Sequence, residues 1–413
     1  MNQFGNYLEC SVDNKILNIA IVINHDIYSG GGFQYSYMVL NLLKKYHNDK
    51  TIKLSFYSIN KDISNDYQDL DLEIKKISEN LFQKIHRIAL KNLYFYNFFK
   101  KLGLRKSKIE SKILKDGIDL IYFLSPSQIT HSLSELPYII TLWDLGHLNL
   151  IEFPELSNNK IFEGREENYS KSLKKAINVI VDSTYLKNYC ISKYNLEENR
   201  IEILPFLPNV LIVDNKNYIN IKEKYNIKND YIFYPAQFWA HKNHMYILKA
   251  IKILRYEHNI DVSVVFSGSN KGNLNYILKS AKSMGIENLI HYVGFVKNEE
   301  IPYLYKQSLS LVMPTYLGPT NIPPLEAFAY ETPVCYSDMP FFREQFEESV
   351  FFMDLNNPNS LSENILFIKN NKDIVDYKIL NGKNILDNWK EEDFYNKLLK
   401  VFKRYQYIRE CWE

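Results

Sequence analysis

The sequence predicts an α/β protein built from two doubly wound parallel-sheet domains that face a central cleft. Three observations lead to this prediction. The chain has 413 residues, which favours two domains of about 150–200 residues over one compact core. Short β-branched and aromatic runs alternate with longer helical stretches throughout. A polar stretch that opens with two prolines, 205–230, separates two series of such runs.

The predicted strands are short and mostly apolar, as expected for strands covered on both faces. In the first half they are LNIAIVI (17–23), IKLSFYS (52–58), IDLIYFL (118–124), YIITLW (138–143), INVIVDS (177–183) and RIEILP (200–205). In the second half they are YIFYPA (231–236), VSVVFSG (262–268), LIHYVG (289–294), LSLVMP (309–314) and PVCYS (333–337). Alternation with helices implies parallel sheets with right-handed crossovers, and ligands then bind at the carboxyl ends of the strands.

The break between the two series predicts the domain boundaries. We expect a first domain at 1–207, a linker at 208–230 and a second domain at 231–390. Residues 391–408 have helical spacing and no strand after them, so 391–413 are predicted to form a final helix.

Composition excludes several classes of protein. A net charge of +2 argues against a nucleic-acid binder that relies on bulk electrostatics. The four cysteines have no CxxC spacing and no nearby histidine pairs, so neither a disulfide framework nor a zinc site is expected. No signal peptide and no apolar run of about 20 residues is found, which predicts a cytoplasmic protein.

Three consecutive glycines follow the first strand and open a helix. Gly30, Gly31 and Gly32 would let backbone amides approach a phosphate or a sugar at a helix N-terminus. A flexible turn explains the same glycines equally well, and the pattern is not the GxGxxG of dinucleotide-binding proteins.

A lysine follows the first strand of the second half, in AQFWAHKNH. Lys242 is predicted at the start of a helix, where a cation opposes the positive end of the helix dipole. An anion between Lys242 and the helix terminus would remove this conflict. A solvated lysine is the alternative, but the neighbouring Trp239, His241 and His244 favour a binding site.

The stretch LGPTNIPPLEAF (317–328) follows the strand LSLVMP. Pro323 and Pro324 suit the first turn of a helix, and Glu326 is predicted within that turn. The carboxylate could complement the helix dipole. It could equally grip two neighbouring hydroxyls, as on a ribose.

Two loops of the first half carry weaker candidates. WDLGHLNLIEFPE (143–155) places Asp144 and His147 after a strand, and VDSTY places Asp182 and Ser183 at another strand end. Ser183 could equally cap the next helix. No Ser-His-Asp order, metal-ligand cluster or P-loop appears, so no metal and no cofactor is expected.

A basic, aromatic-rich stretch lies in the first half. Residues 84–115 hold ten Lys and Arg residues against one Glu, interleaved with Leu, Ile, Phe and Tyr. Such a helical stretch suits an anionic membrane surface. A solvated helical face with core aromatics explains the composition equally well.

Taken together, the motifs resemble the retaining glycosyltransferases of family 4, with their two-domain GT-B fold of Rossmann-like domains. The resemblance is strongest to bacterial enzymes that build cell-surface polysaccharides and covers most of the chain. It rests on the order and spacing of WDLGHLNLIEFPE, INVIVDSTYLK, YPAQFWAHKNH, VVFSGSNKGN, HYVGFVKNEEIPYLYKQS and LVMPTYLGPTNIPPLEAFAYETPV.

The resemblance implies a role for individual residues. Lys242 corresponds to the lysine that binds the donor diphosphate, and Glu326 to the second glutamate of the family's E-x7-E motif, which holds the nucleotide ribose. Asp144, His147 and Ser183 would lie on the acceptor side or near the sugar. The expected donor-binding residues are Gly30, Gly31, Gly32, Gln237, His241, Gly268, Gly318, Pro319, Thr320, Asn321 and Ile322. The final helix would cross back to the first domain.

The sequence departs from the family pattern at three positions. Gly318 stands where the family usually has its first glutamate, and Gln237 where many members carry a phosphate-binding arginine. Trp143 replaces the histidine often found before the aspartate of the HD pair. These changes bear on the sugar contacts and leave the nucleotide-binding elements in place.

The expected reaction is transfer of a sugar from a nucleotide donor to a hydroxyl acceptor, with retention and without a metal. The acceptor would be a lipid-linked or growing glycan of the O-antigen or capsule type, reached from the cytoplasm or from the inner face of the membrane. Two alternatives are a nucleotide-sugar epimerase of the same fold, which would turn over donor alone, and a non-catalytic nucleotide-sugar-binding subunit.

Overall fold

The computed structural model describes residues 16–208, 218–318, 322–346 and 348–412. The first domain contains the strands β1 (Leu17–Ile23), β2 (Ile52–Ile59), β3 (Ile74–Ile77), β4 (Leu120–Phe123), β5 (Tyr138–Thr141), β6 (Asn178–Val181) and β7 (Ile201–Ile203). They form one sheet in the order β3-β2-β1-β4-β5-β6-β7, and the described pairings are all parallel. Its helices are α1 (Gly31–Tyr46), α2 (Leu81–Ala89), α3 (Leu93–Lys101), α4 (Lys108–Lys115), α5 (Gly146–Asn149), α6 (Pro154–Ser157), α7 (Ile161–Lys175) and α8 (Thr184–Tyr194).

The second domain repeats this architecture. Its strands are β8 (Tyr231–Pro235), β9 (Ser263–Ser267), β10 (Ile290–Gly294), β11 (Ser310–Met313), β12 (Val334–Ser337) and β13 (Phe351–Met353), paired in parallel in the order β10-β9-β8-β11-β12-β13. The helices that follow the first domain are α9 (Ile221–Lys224), α10 (His244–Glu257), α11 (Leu274–Ser283), α12 (Ile301–Lys306), α13 (Ile322–Ala329), α14 (Pro340–Phe346), α15 (Asn359–Asn370), α16 (Lys372–Asp387) and α17 (Glu391–Arg409).

Both faces of the first sheet are buried. Along β1, Ile19 and Ile21 belong to one apolar cluster, whereas Ala20 and Val22 belong to another. Since successive side chains of a strand point to opposite faces, the sheet is covered on both sides. This explains why the strand sequences are continuously apolar instead of alternating.

The predicted fold class, two Rossmann-like parallel-sheet domains, is confirmed. Two strands, β3 and β13, were not predicted, and each lies at the edge of its sheet. β3 has the sequence IKKI, and an edge strand can carry two lysines because it is not enclosed by neighbours on both sides.

The final helix α17 lies against the first domain, although the chain reaches it from the second. Glu391 accepts a hydrogen bond from Lys45 at 2.6 Å, and Arg409 pairs with Asp119 at 2.8 Å. Of the predicted linker, 209–217 lie outside the described residues, and 221–224 form α9. None of the described helices is long and apolar enough to cross a membrane.

Candidate active site

A cleft lies between the carboxyl ends of the two sheets. It has a volume of about 590 Å³ and is lined by both domains. The first domain contributes the loops after β1 and β5, and the second contributes the loops after β8, β9, β10 and β11. The charged side chains that line it are Asp144, Glu155, Arg165, Lys242 and Glu326.

The triple glycine allows the two domains to approach closely. Gly30 has a φ of +63°, and a Cβ there would lie 2.8 Å from Nε2 of Gln237 in the other domain. A larger residue at Gly30 would therefore be strained in its backbone and would displace Gln237. Gly31 begins α1, so the N-terminus of that helix opens towards the cleft.

Lys242 lines the cleft, but the prediction that it lies at the start of a helix was wrong in detail. It ends a 3-10 turn, Ala240–Lys242, and α10 begins only at His244. Asn243 between them is left-handed, with a φ of +54°, which separates the turn from the helix. Burial lowers the pKa of Lys242 to about 8, although the nearby Asp144 carboxylate acts in the opposite direction. Burial therefore destabilises the protonated form by more than Asp144 stabilises it.

Glu326 lines the same cleft and lies just beyond the first turn of its helix, within which it was predicted. It is the fifth residue of α13, and the first turn contains no acidic residue. The position does not favour the interpretation as a dipole-complementing carboxylate. Burial raises the pKa of Glu326 to about 7, while the hydrogen bond that it accepts from the Tyr305 hydroxyl acts to lower it. Tyr305, fully buried on α12, donates to Oε2 at 2.7 Å.

A glutamate of the first domain reaches across the cleft to the residue before Lys242. Oε1 of Glu155, in α6, lies 2.8 Å from the His241 backbone nitrogen and 2.7 Å from Nδ1 of its ring. Burial raises the pKa of Glu155, but the two hydrogen bonds from His241 lower it more, so its pKa lies below the usual value. Both side chains are almost fully buried. This contact is a direct polar bridge between the domains.

His241 also holds the loop that precedes α13. Its backbone carbonyl accepts a hydrogen bond from the Tyr316 N–H at 3.0 Å. The ring of Tyr316 in turn packs on Phe153 of the first domain, with the ring centroids 5.3 Å apart. The Glu155–His241 bridge therefore connects three segments that line the cleft.

Asp144 is positioned by a partly buried arginine. Arg165 of α7 forms an ion pair with the Asp144 carboxylate, which also accepts a hydrogen bond from the Gly146 N–H at 2.9 Å. Burial raises the pKa of Asp144, but Arg165 and the Gly146 N–H together lower it more, so its pKa lies below the usual value and the carboxylate stays ionised. Asp144 is thus a cleft residue, as the sequence predicts.

The other two acceptor-side candidates do not line the cleft. His147 is buried within α5, with Nε2 at 3.3 Å from Glu166, and packs against Phe162 and Tyr169. Ser183 accepts a hydrogen bond from the Leu186 N–H at 3.3 Å. It caps α8, which was the structural alternative considered for it.

Most of the expected donor-binding residues line the cleft. They are Gly30, Gly31, Gly32, Gln237, His241, Gly268, Gly318 and Ile322. Gly268 has a φ of +129°, and a Cβ there would lie 2.5 Å from the Ala236 carbonyl oxygen, so only glycine fits. Pro319, Thr320 and Asn321 lie outside the described residues.

Three residues of the site were not predicted: Glu155, Arg165 and Tyr305. Glu155 follows a proline at a helix start, where an acidic residue is ordinary. Arg165 lies in the helix sequence EGREEN, which has the charge pattern of a solvated surface. No local signal marks them, because their partners lie elsewhere in the fold. Within the described ranges, no group of three or more His, Cys, Asp or Glu residues is arranged to hold a metal ion.

Comparison with known proteins identifies the second domain. Residues 217–384 match the family described as Glycosyl transferases group 1. The chain carries a glycosyl transferases group 1 domain. The resemblance inferred from the motifs is thereby confirmed, and the match includes Lys242, Glu326 and Tyr305.

Individual relatives are distant. The O-antigen chain mannosyltransferase RfbU of Salmonella typhimurium is 24% identical over 229 residues, which are 54% of this chain and 61% of that protein. Among solved structures, a glycosyltransferase from Rickettsia africae ESF-5 has a TM-score of 0.70 at 17% identity and covers 94% of this chain and 98% of that one. Anabaena Alr3699/HepE, solved with UDP and glucose, has a TM-score of 0.70 at 12% identity, with 94% and 100% covered. These two likenesses show the fold.

Proposed function

We propose that the chain is a retaining glycosyltransferase that moves a sugar from a nucleotide-sugar donor to a hydroxyl of a surface glycan or lipid-linked acceptor. One observation carries the proposal. A single interdomain cleft is lined by both Lys242 and Glu326, and both belong to a group 1 glycosyl transferase domain. RfbU, by its name, is an O-antigen mannosyltransferase, and HepE was solved with UDP and glucose.

Lys242 supplies positive charge for the donor diphosphate. Burial disfavours its protonated form, and a bound dianion would stabilise that form through a strong ion pair. The N-termini of α1 and α13 begin at residues that line the cleft, Gly31 and Ile322. Their orphan N–H groups favour phosphate oxygens.

Glu326 supplies an acceptor for the ribose hydroxyls. When ionised, its two oxygens accept only, and Tyr305 occupies Oε2. This leaves Oε1 and the second lone pair of Oε2 for the ligand. Phe295 lines the cleft with 68% of its surface exposed, which offers a face on which the base can stack.

The carboxylates of the cleft support a same-face mechanism. Asp144 is paired with Arg165, Glu155 with His241 and Glu326 with Tyr305, so none of them is left without a partner as a nucleophile. In the proposed step the bond from the anomeric carbon to the diphosphate oxygen breaks. The bond to the acceptor oxygen forms on the same face, and the acceptor proton passes to the leaving diphosphate. The chain contributes positioning and stabilisation of the developing charge.

Two further parts of the proposal concern place and cofactors. We propose that the enzyme works from the cytoplasm at the inner face of the membrane, where a lipid-linked acceptor would be found. We also propose that Lys242 and the helix N-termini neutralise the leaving group without a divalent metal. Activity in excess chelating agent, equal to that in added Mg²⁺ and Mn²⁺, is the expected result.

The test begins with a thermal-shift panel of UDP- and GDP-sugars, because a ligand that binds the native state raises its apparent stability. Donor turnover is then measured for Lys242→Ala and Glu326→Ala, with circular dichroism to confirm folding. Each variant is expected to lose about 100-fold or more in turnover. Lys249→Ala, an exposed lysine on the adjacent helix α10, is the matched control. Near-native turnover in both site variants would refute the assignment.

The same assay separates the alternatives. A nucleotide-sugar epimerase would consume donor without any acceptor, whereas the proposed enzyme requires one for transfer. A non-catalytic subunit would show a thermal shift but no turnover with any donor and acceptor pair.

A further inference from the structure

The first domain exposes an unusual apolar surface on α2 and α3. We define the α2–α3 surface by six of its exposed apolar side chains, Leu81, Phe82, Leu93, Tyr94, Phe98 and Leu102. We propose that this surface docks on an anionic phospholipid bilayer. The proposal goes beyond the glycosyltransferase assignment, since no residue of the surface lines the cleft.

The polarity of α2 is inverted relative to that of an ordinary surface helix. Arg87 is buried and pairs with the buried Glu79 at 2.9 Å. On the same helix, 81% of Phe82 and 69% of Leu81 are exposed. A surface helix normally turns its apolar face to the core and its charges to water. Here a charge faces the protein and the apolar side chains face outwards.

Specific contacts join α2 to α3 and attach the segment after α3 to the rest of the domain. Nε2 of His86 lies 2.9 Å from the Leu104 carbonyl oxygen, and the His86 ring packs edge-on against Phe99 at 4.6 Å. Beyond α3, Arg105 and Lys106 both pair with Glu135. The outward orientation of the apolar side chains is therefore fixed by specific contacts and is not the consequence of an unattached helix.

The adjacent helix α4 shows the contrast. Ile109 and Ile113 of α4 are completely buried in the core of the first domain. The basic stretch 84–115 thus contains two different structures. Its last part is a core helix, and its earlier part, together with Leu81 and Phe82, forms the exposed surface.

The charge around the α2–α3 surface determines the kind of partner. The sequence contains no Asp or Glu from 81 to 109. Lys84, Lys100 and Lys101 are exposed, and none of the ion pairs found among the described residues includes them. A partner must therefore tolerate or attract positive charge while it covers aromatic and aliphatic side chains.

An anionic bilayer meets both requirements. Short basic helices with Phe, Tyr and Leu on one side bury these side chains at the headgroup boundary. Lysines at the rim reach the anionic headgroups while their stems follow the apolar surface. A second copy of the chain fits poorly, because a two-fold contact would place the lysines of one copy against those of the other.

The α2–α3 surface follows the edge of the sheet that also carries loops of the cleft. β3 ends at Ile77, which pairs with Ile59, and β1 ends at Ile23 beside Ser58. The two strands therefore end at the same edge of the sheet, and α2 starts from the edge that carries the glycine loop of the cleft. Docking through α2 would bring that edge close to the bilayer. A lipid-linked acceptor in the bilayer would then lie close to the cleft. This step rests on the proposed function.

The experiment is sedimentation of the full chain with vesicles of phosphatidylcholine alone or with added phosphatidylglycerol. Phe82→Ser/Tyr94→Ser is expected to lower partition at least about tenfold, because two exposed aromatic side chains can no longer be buried in lipid. Lys84→Gln/Lys100→Gln/Lys101→Gln is expected to lower it about tenfold or more on anionic vesicles only. Tyr276→Ser, which removes an equally typical exposed tyrosine from α11 (57% exposed), should bind as the unmodified chain does.

Several results would overturn the proposal. Partition that is equal on neutral and anionic vesicles, or that neither surface variant reduces, would do so. A second such result is a chain that does not bind vesicles but self-associates in sedimentation velocity, with the self-association removed by Phe82→Ser/Tyr94→Ser. The occupant of the surface would then be a second copy of the chain. If the chain bound an acidic protein through this surface and did not bind vesicles, the proposal would equally be refuted. The thermal shift with nucleotide sugars is measured on the same variants and is expected to be unchanged, which separates this proposal from that of the cleft.

Discussion

Two regions of the first and second domains use positive charge in opposite ways. In the cleft, Lys242 is withdrawn from water, and its pKa is lowered to about 8. On the α2–α3 surface, Lys84, Lys100 and Lys101 stand in solvent beside exposed aromatic side chains. In the cleft, one side chain carries the positive charge, whereas on the α2–α3 surface the positive charge is distributed over several side chains.

The difference has a physical basis. A charge in a poorly solvated site interacts strongly with one partner and is sensitive to pH, because desolvation has already brought its two protonation states close in energy. Exposed charges interact weakly and additively, and salt screens them. Four experiments separate these two modes.

The largest expected effect is the pH dependence of nucleotide binding. Lys242 must be protonated to pair with a diphosphate, so affinity is expected to fall about tenfold per pH unit above pH 8. Between pH 7 and pH 8 a small rise is expected first, because the pKa of Glu326 is about 7 and its carboxylate becomes more fully ionised. The groups that act on Lys242 are Asp144, which favours its protonation, and the burial that opposes it. Calorimetry with UDP or GDP from pH 7 to 10 measures the fall.

Lys242→Arg provides the control for that titration, because the guanidinium stays charged throughout this range. Its affinity should remain flat from pH 8 to pH 10, even if the absolute value is lower. An identical fall in the variant would show that another group titrates.

The second experiment breaks the interdomain bridge. Glu155→Ala removes the acceptor of two hydrogen bonds and leaves the buried His241 donors without it, which costs about 1–3 kcal/mol. We expect nucleotide affinity to fall about tenfold and the radius of gyration in X-ray scattering to rise. Glu152→Ala, at an exposed position one turn away, should change neither. If the two variants behave alike, the Glu155–His241 bridge does not contribute to nucleotide binding or to the closeness of the domains.

The third experiment addresses the carboxylate in the cleft. Tyr305→Phe removes a hydrogen bond that lowers the pKa of Glu326, so the pKa should rise further above 7 and less carboxylate is ionised at neutral pH. We expect nucleotide affinity at pH 7 to fall about fivefold and the loss to shrink at pH 8. Tyr303→Phe on the same helix is the comparison, and a loss that does not vary with pH would argue for a packing defect instead.

The smallest expected effect is the difference in salt dependence between vesicle binding and nucleotide binding. Raising NaCl from 50 to 300 mM should lower vesicle binding several-fold, since exposed charges are screened. Nucleotide binding in the cleft should change by less than about twofold. Comparable salt sensitivity of both would mean that the cleft is more open to solvent than its burial indicates.

Features that depend on local sequence were predicted, and features that depend on tertiary contacts were not. The strand β1 was predicted with its observed bounds because a continuously apolar run reports burial on both faces. The strand β3 was missed because its two lysines read as polar sequence. Lys242 and Glu326 were found from strand ends and motifs, and the structure places both in one cleft.

The remaining site residues depend on how two domains face each other. Glu155 meets His241 at a sequence separation of 86, and no pattern within either segment specifies this contact. The α2–α3 surface has the same limitation. Its composition is equally consistent with a core and with an exposed face, and only the burial of Arg87 beside the exposure of Phe82 separates the two.

The position of α17 has a consequence for biosynthesis. Its residues complete the first domain: Phe402 packs edge-on against the buried Tyr122 of β4, and Lys403 pairs with Asp49 at 2.6 Å. During translation, the first domain emerges from the ribosome before the second has been made. Its surface beside α1 must therefore wait, uncovered, until the second domain and then α17 have been synthesised. The half of the protein that is made first is thus the half that finishes folding last.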